Sequence, residues 1–549
     1  MNKRLVPVLA DLSAQACARR SLLLAGLASA TLLPLSALAN GAGAGQRLWL
    51  DSSGRLLPQA HKALDLLAGA ASHGLDPQDY DLVTLNRLLD RSLALGPEAD
   101  ATDQALTRAF ERYLSDLHRG RVDPVELGQR YRPVRSDPFD PSQVLRAALQ
   151  RSDLAAAVAA AVPQLPQYGR LREALARYRS LAGQPAWDEV LPQLPRPAKS
   201  RTRKLEPGQA WSGLERLAQR LQVLGDLAPG FSLPSATSSP NAADAPSGAP
   251  RYVDELVEAV RRFQLRHGLE PDGVIGASTL AQLEVAPAAR AQQIELALER
   301  LRWTPLLQAR RMVVVNLPEF MLRAYEVADD GRVRVVLESK VVVGRALDTR
   351  TPLFDEDMRF IEFSPYWNVP PSIARAETIP KLRRDPGYFN RMGFEFVGAG
   401  GSVQRSLSAD ALDAVLAGAM RIRQRPGPEN ALGDIKFVFP NSDNIYLHHT
   451  PAVSLFGRER RDYSHGCIRV EKPVELAEFV LQGMEGWDRA RIESAMGSGK
   501  SNTLRLAEPV PVLLHYGTTL VKGDQIFFFN DLYGHDRLLA AALRQRRPG

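Results

Sequence analysis

Apolar residues recur at helical spacing through the first third of the chain. Leu64, Leu67 and Ala71 share one helical face, with polar residues between them. Asp76-Pro77 is a helix-breaking pair of a kind that recurs downstream. The pattern predicts a helical scaffold domain over residues 40–193. It holds no catalytic constellation, and we expect it to buttress the rest of the chain.

Three histidines of this region, His61, His73 and His118, are isolated in the sequence. Isolated histidines are usually exposed rather than ligands. We therefore expect each of them to be solvated or to cap a helix.

A second helical pattern follows a break in the periodicity. Residues 194–210 contain prolines and basic side chains and are typical of a linker. Residues 211–286 predict three short helices, with a tight turn at Asp272-Gly273. Within them, residues 229–250 are rich in Ser, Ala and Pro and predict a disordered loop. A connecting helix over residues 287–308 leads into the next domain.

From residue 309 the pattern changes from helical spacing to runs of β-branched residues. Such runs predict a β-rich domain over residues 309–500. Residues 374–425 interrupt it with a polar, basic segment that we predict to be helical. Residues 501–549 add strands and a helix, which we expect to pack on the β-rich domain. The chain is therefore predicted to be a multidomain α+β protein.

The first 39 residues differ from the rest of the chain. Arg19-Arg20 precede an apolar run that ends in the small-x-small sequence Ala37-Leu38-Ala39. This pattern is typical of a secretory signal peptide, and the paired arginines also resemble a twin-arginine signal. We expect export by one of these two routes, with an uncleaved anchor as the alternative. Removal of the first 39 residues takes away four basic residues and one acidic residue, so the formal net charge falls by three, from +7 to +4. This mildly basic charge suits an anionic polymer such as a cell wall better than nucleic acid.

The chain has 2 cysteines, Cys17 and Cys467. Cys17 lies before the apolar run and would leave with the signal peptide. A lone thiol in an oxidising compartment cannot form an internal disulfide and is a liability unless it is buried or used. Cys467 is therefore the first candidate for chemistry.

Cys467 stands in the string SHGCIR, residues 464–469, and lies 19 residues after His448. An imidazole can take the proton of a thiol, and the thiolate can attack a carbonyl. Gly466 leaves room for a substrate oxygen, and the N–H groups of Gly466 and Cys467 could form an oxyanion hole. Alternation along the strand places Tyr446 on the side of His448 and turns His449 away.

These segments resemble the catalytic domain of the L,D-transpeptidases, the YkuD-like family, whose signature is a histidine followed downstream by [ST]-H-G-C-h-[RN]. Residues 364–370, SPYWNVP, resemble the Pro-x-Trp-x-x-Pro segment near the family's active site. The resemblance implies that Cys467 attacks the third residue of a peptidoglycan stem, usually meso-diaminopimelate, and releases the terminal D-alanine. An amine of a neighbouring stem then resolves the thioester and forms a crosslink. The resemblance also implies that carbapenems acylate Cys467.

The site follows position by position from this resemblance. His448 matches the general base, with a backbone carbonyl at its other ring nitrogen, and His465 matches the family's second histidine. The expected catalytic residues are Cys467, His448, His465 and Gly466, and the expected substrate-binding residues are Tyr446, Arg469, Trp367 and Ser464. No cofactor and no metal are expected. His449 departs from the family, because many relatives carry Gly, Ser or Asp there.

The string FQLRHGLEPDGVIGASTLAQL, residues 263–283, resembles the three-helix peptidoglycan-binding module of many wall enzymes. The order of scaffold, module, catalytic domain and inserted lid (residues 374–425) resembles the large periplasmic Gram-negative members. This implies a periplasmic acyltransferase of cell-wall organisation. Its partners would be stem peptides, glycan strands and other cell-wall synthesis enzymes, with no nucleic acid. The module could also serve only as a spacer.

Several alternatives stay open at this point. Cys467 could be a buried structural cysteine, or it could bind zinc together with His448, His449 and His465. Water instead of an amine could resolve the thioester, which would make the protein an L,D-carboxypeptidase. A non-catalytic wall-binding protein is the alternative from another functional class.

Overall fold

The computed structural model describes residues 47–90, 97–132, 139–196, 201–234 and 250–545. The predicted signal peptide and most of the predicted loop at residues 229–250 lie outside this range. Among the described helices, none is long and apolar enough to cross a membrane.

The N-terminal helices pack around one apolar core, which includes Leu67, Phe110 and Leu145. Local caps begin two of them, because the carboxylates of Asp140 and Asp153 accept hydrogen bonds from first-turn N–H groups. The helices are α1 (Pro58–Ala68), α2 (Leu82–Asp90), α3 (Pro97–Arg119), α4 (Pro141–Gln150) and α5 (Leu154–Ala161). The next helix, α6 (Pro166–Ser180), packs instead into the core of the helices that follow it, through Leu171 and Leu175.

His73 corrects the prediction of a solvated or capping histidine. It is 5% exposed, and its Nδ1 lies 3.2 Å from the hydroxyl of Tyr168. Burial lowers its pKa to about 3, so the ring stays neutral inside the helical core.

Three further helices and a connecting helix form the middle of the chain: α7 (Leu214–Leu224), α8 (Asp254–Arg266), α9 (Ala277–Leu283) and α10 (Pro287–Trp303). Gln264 is buried and holds the turn between α8 and α9. Its amide nitrogen donates to Asp272 Oδ1 (2.9 Å), and its amide oxygen accepts from the N–H of Gly273 (2.8 Å). Gly273 has φ +77°, a conformation that favours glycine. The residues that carry the module's motif thus also hold its fold.

The β-rich domain is built on a nine-stranded sheet with the order β11-β3-β12-β10-β9-β4-β13-β1-β2. β3 pairs with β2 through most of its length and with β12 near its end. It therefore links β2, the last strand in this order, to β12 near the other end of the order. The strands are β1 (Arg311–Asn316), β2 (Met321–Val327), β3 (Val333–Gly344), β4 (Asp355–Phe363), β9 (Ile435–Val438), β10 (Leu447–His448), β11 (Asp462–Ser464), β12 (Ile468–Val470) and β13 (Asn502–His515). Helices α15 (Pro473–Leu481) and α16 (Arg489–Gly497) cover the core.

The insertion at residues 374–425 is mixed rather than purely helical, which corrects that part of the prediction. It carries a four-stranded sheet with the order β5-β8-β6-β7 and its own apolar core, which includes Leu382, Phe396 and Ile422. β5 (Trp367–Asn368) and α11 (Pro371–Ile373) come directly before residue 374. The elements within the insertion are a π-helical turn (Ala374–Thr378), α12 (Ile379–Arg384), α13 (Gly387–Arg391), β6 (Phe394–Gly398), β7 (Val403–Gln404), α14 (Ala409–Leu416) and β8 (Met420–Gln424).

The C-terminal segment packs on the β-rich domain in part, because Tyr516 and Tyr533 belong to that domain's apolar core. β13 lies inside the large sheet, between β4 and β1. The hairpin of β14 (Thr519–Lys522) and β15 (Gln525–Phe528) instead inserts Ile526 and Phe528 into the helical core of the module. In α17 (His535–Gln545), Leu539 packs on Trp303 of α10.

Candidate active site

One row of side chains crosses four neighbouring strands of the large sheet. Glu362 of β4 pairs with Lys436 of β9, Lys436 pairs with His448 of β10, and His448 pairs with Arg469 of β12. Directly opposed residues share a face of the sheet. Cys467 lies two residues before Arg469, so alternation brings its side chain to the face of His448.

The opposite face of the same strands is apolar, which explains why the row is fixed in register. Phe437, Leu447 and Ile468 alternate with the row and are fully buried in the core. A slip of one residue would expose these three side chains and bury the charged row. The hydrophobic pattern therefore specifies which side chains meet Cys467.

His448 is held in one orientation. It is 4% exposed, and its Nδ1 lies 2.5 Å from the carbonyl oxygen of His449. Because a carbonyl only accepts hydrogen bonds, the proton resides on Nδ1 and leaves Nε2 as the acceptor. Burial, with the nearby charge of Arg469, lowers the pKa of His448 to about 3. The imidazole is therefore neutral at physiological pH and able to accept a proton.

The thiol of Cys467 is half-buried and donates to the carbonyl oxygen of Asn444 (3.6 Å). Burial raises its pKa above the ordinary value, and hydrogen bonds from Tyr446 with the charges of Lys436 and Arg469 only partly offset this. The thiol of Cys467 thus stays protonated to higher pH than a free cysteine, and it lies on the sheet face that also carries the neutral imidazole of His448.

The ring of Tyr446 contacts both His448 and Lys436. Its centroid lies 5.7 Å from the ring centroid of His448 and 4.5 Å from Lys436 Nζ. Lys436 is a member of the site that the sequence analysis missed. Apolar residues flank Lys436 in β9, and strand alternation therefore places it on the polar face. Nothing in the sequence of β9 indicates that Cys467 lies on the same face.

The turn before Cys467 is braced by Ser464. The Ser464 hydroxyl donates to the carbonyl of Cys467 (2.6 Å) and accepts from the N–H of Gly466 (3.2 Å). Gly466 has φ +117°, so it needs to be glycine. Its N–H is engaged inside the turn, which leaves the N–H of Cys467 as the better oxyanion donor. Ser464 is 3% exposed, so this geometry favours a bracing position over the expected substrate contact.

Two more predicted residues lie on or against the insertion. His465 Nε2 is 2.6 Å from a carboxylate oxygen of Glu377 in the π-helical turn. Trp367 belongs to β5 and packs against the apolar core of the insertion. His449 is turned to Asp434, with its Nδ1 3.3 Å from the carboxylate. In the described parts of the chain, no group of three or more His, Cys, Asp or Glu side chains is arranged to hold a metal ion.

Residues 310–493 match the family model described as "L,D-transpeptidase catalytic domain", the YkuD family. The chain contains an L,D-transpeptidase catalytic domain. Residues 238–283 match a "Putative peptidoglycan binding domain", so a peptidoglycan-binding domain is also present, and residues 42–175 match a "Scaffold domain". The multidomain α+β architecture predicted from the sequence is confirmed.

A relative from Haemophilus influenzae strain Rd is named "Putative L,D-transpeptidase". It is 33% identical over 251 residues, which is 46% of this chain and 49% of the relative. The chain thus spans about half the length of the curated relative that it matches.

Proposed function

We propose that the protein is a peptidoglycan L,D-transpeptidase that crosslinks the third residues of two stem peptides through a thioester on Cys467. The observation that carries this proposal is the placement of Cys467 on one sheet face with the neutral, carbonyl-oriented imidazole of His448. The signal-like N-terminus and the wall-binding domain support action in the periplasm. By the same chemistry, a carbapenem would acylate Cys467.

The first step forms the acyl-enzyme. As the sulfur of Cys467 attacks the carbonyl of the third stem residue, Nε2 of His448 takes the thiol proton. The S–C bond forms, and the oxyanion faces the N–H of Cys467. The C–N bond to the terminal D-alanine then breaks, and the proton passes from His448 to the leaving amine. Proton transfer accompanies attack because neither group is charged at rest.

The second step resolves the thioester. The side-chain amine of an acceptor stem attacks the thioester carbonyl, and His448 removes a proton from that amine. The C–S bond breaks, an amide forms, and the proton returns to Cys467. Arg469 carries an unpartnered, buried Nε on the same face, which suits it to a carboxylate of the stem peptide.

The insertion is proposed to act as a lid over this step. Glu377 reaches from the insertion to His465, two residues before the nucleophile. A lid held over the thioester would exclude water and favour an amine acceptor. The L,D-carboxypeptidase alternative requires water to reach the same thioester. The peptidoglycan-binding domain is proposed to hold the chain on the glycan strands.

Incubation with disaccharide-tetrapeptide muropeptides, followed by mass spectrometry, tests the proposal. The chain and its Cys467→Ala variant are compared side by side. A cysteine-dependent dimer that lacks one D-alanine supports transpeptidation. Cysteine-dependent tripeptide without dimer supports the carboxypeptidase, and identical products from both chains support a wall-binding protein without this activity.

A further inference from the structure

The carbonyl of Gly466, directly before the nucleophile, is held by a residue far away in the sequence. The hydroxyl of Thr351 donates to this carbonyl (2.7 Å) and accepts from the N–H of Gly344 (2.9 Å). Thr351 is 1% exposed, so water does not compete for these bonds. The loop that carries it closes tightly, because a Cβ at Gly344 would lie 2.0 Å from the carbonyl oxygen of Thr349.

The carbonyl of Gly466 and the N–H of Cys467 belong to the same planar peptide group. In a trans peptide these two bonds point in opposite directions. Anchoring the carbonyl on Thr351 therefore fixes the direction of the Cys467 N–H. Within the part of the chain that the structure describes, this N–H donates to no protein acceptor, whereas the N–H of Gly466 donates to Ser464.

A second residue fixes Thr351 in turn. The hydroxyl of Tyr533 donates to the carbonyl of Gly344 (2.7 Å) and accepts from the N–H of Thr351 (3.3 Å). Tyr533 is 2% exposed, and its own N–H donates to the hydroxyl of Tyr516 (2.7 Å). The hydroxyl of Tyr516 donates to Asp531 (2.7 Å). Tyr533 lies after residue 493, outside the matched catalytic domain.

We infer that Thr351 and Tyr533 are positioning residues that aim the N–H of Cys467 at the oxyanion of the acyl-transfer step. The C-terminal segment is thereby part of the acyl-transfer apparatus, although it lies beyond the catalytic domain in sequence. The inference rests on the proposed function only in taking acyl transfer as the reaction.

Two reactions of Cys467 distinguish the positioning of its N–H from a general loosening of the turn that precedes it. With 4-nitrophenyl acetate, the sulfur attacks the acetyl carbonyl through an oxyanion, the ester C–O bond breaks and nitrophenolate leaves as the thiol proton is released. With iodoacetamide, the sulfur displaces iodide and no oxyanion forms. Both are measured in a Cys17→Ser background, in which Cys467 is the only thiol.

Thr351→Val and Tyr533→Phe are expected to lower the rate of acylation by nitrophenyl acetate roughly tenfold. Alkylation by iodoacetamide should stay within about twofold of the parent chain, because it does not use the N–H. Thr351→Ser keeps the hydroxyl and should restore acylation. Tyr131→Phe is the matched control. It removes the hydrogen bond that the Tyr131 hydroxyl donates to the carbonyl of Leu514 (3.0 Å). This bond lies on the same sheet but away from the turn before Cys467, so the substitution should change neither rate.

Parent-like acylation by both variants would overturn the inference, and so would equal losses of acylation and alkylation. Nitrophenyl acetate needs no peptidoglycan substrate. A chain that is inactive on muropeptides but shows the expected acylation pattern would therefore refute the proposed function and leave this inference standing.

Discussion

The imidazole of His465 and the carboxylate of Glu377 lie 2.6 Å apart. They join the insertion to the turn at residues 464–467, which we call the nucleophile turn. The two residues are separated by 88 positions in the sequence. The pair is partly exposed, so it contributes little to the free energy of unfolding. Its main effect is to join the insertion to the turn that carries Cys467, the proposed nucleophile.

Glu377→Gln should weaken this link and loosen the insertion, which we propose to act as a lid. We expect faster hydrogen exchange in residues 374–425 and more tripeptide relative to crosslinked dimer, because water then reaches the thioester. Asp385→Asn is the matched control, since Asp385 pairs with Arg391 inside the insertion and not with the nucleophile turn. An unchanged product ratio in Glu377→Gln would argue against a lid closed by this contact.

The choice of His448 over His449 as base can be tested by a pair of variants. His448→Asn should lower the rate of Cys467 acylation by about 10²–10⁴-fold, because the proton acceptor is lost. His449→Asn should have a far smaller effect, since its side chain faces Asp434. Acylation rates from stopped-flow measurements decide between them. A larger loss in His449→Asn would reverse the assignment.

The pH dependence of alkylation follows from the raised pKa of Cys467. A thiol whose pKa is raised stays protonated to higher pH, so the thiolate fraction at neutral pH is below that of a free cysteine. In a Cys17→Ser chain, the rate with iodoacetamide should rise with an inflection above the ordinary thiol pKa of about 8.5. The same chain in urea supplies the reference. An inflection below that of the unfolded chain would indicate a resting thiolate–imidazolium pair.

Burial of His73 predicts a pH-dependent loss of stability. Its pKa is about 3 in the folded chain, below the ordinary value near 6.5, so the unfolded chain binds the additional proton. Stability is full above about pH 6.5 and falls as the pH drops toward 3. His73→Asn should reduce the slope of unfolding free energy against pH by about 1.4 kcal/mol per unit below pH 6.

The control for this measurement is His61→Asn at an exposed position of α1, which should leave the slope unchanged. The free energy comes from urea unfolding at a series of pH values. Equal slopes for His73→Asn and the parent chain would show that His73 takes up its proton without unfolding.

Local sequence was sufficient for the features that depend on neighbours in the chain. Strand alternation placed Tyr446 and His448 on one side, and the motif around Cys467 identified the catalytic family. The insertion's strands were missed because β6 and β8 are five residues each and lie within a polar, basic stretch. Short strands of this kind carry too little periodicity to be separated from helix.

Long-range contacts account for the other omissions. Thr351 meets Gly466 across 115 residues, and Tyr533 meets Gly344 across 189. A threonine or tyrosine in a single sequence carries no sign of its distant partner. Only the closed fold brings these hydroxyls behind the nucleophile turn, and the same holds for Glu377.

The central claim is that Cys467 carries the acyl group, and intact-protein mass spectrometry tests it most directly. The Cys17→Ser chain is mixed with a tetrapeptide donor and no acceptor, beside a Cys17→Ser, Cys467→Ala chain. We expect a donor adduct lacking the terminal D-alanine on the first chain, none on the second, and release of the adduct by hydroxylamine. An adduct on both chains, or D-alanine release by the Cys467→Ala chain, would contradict it.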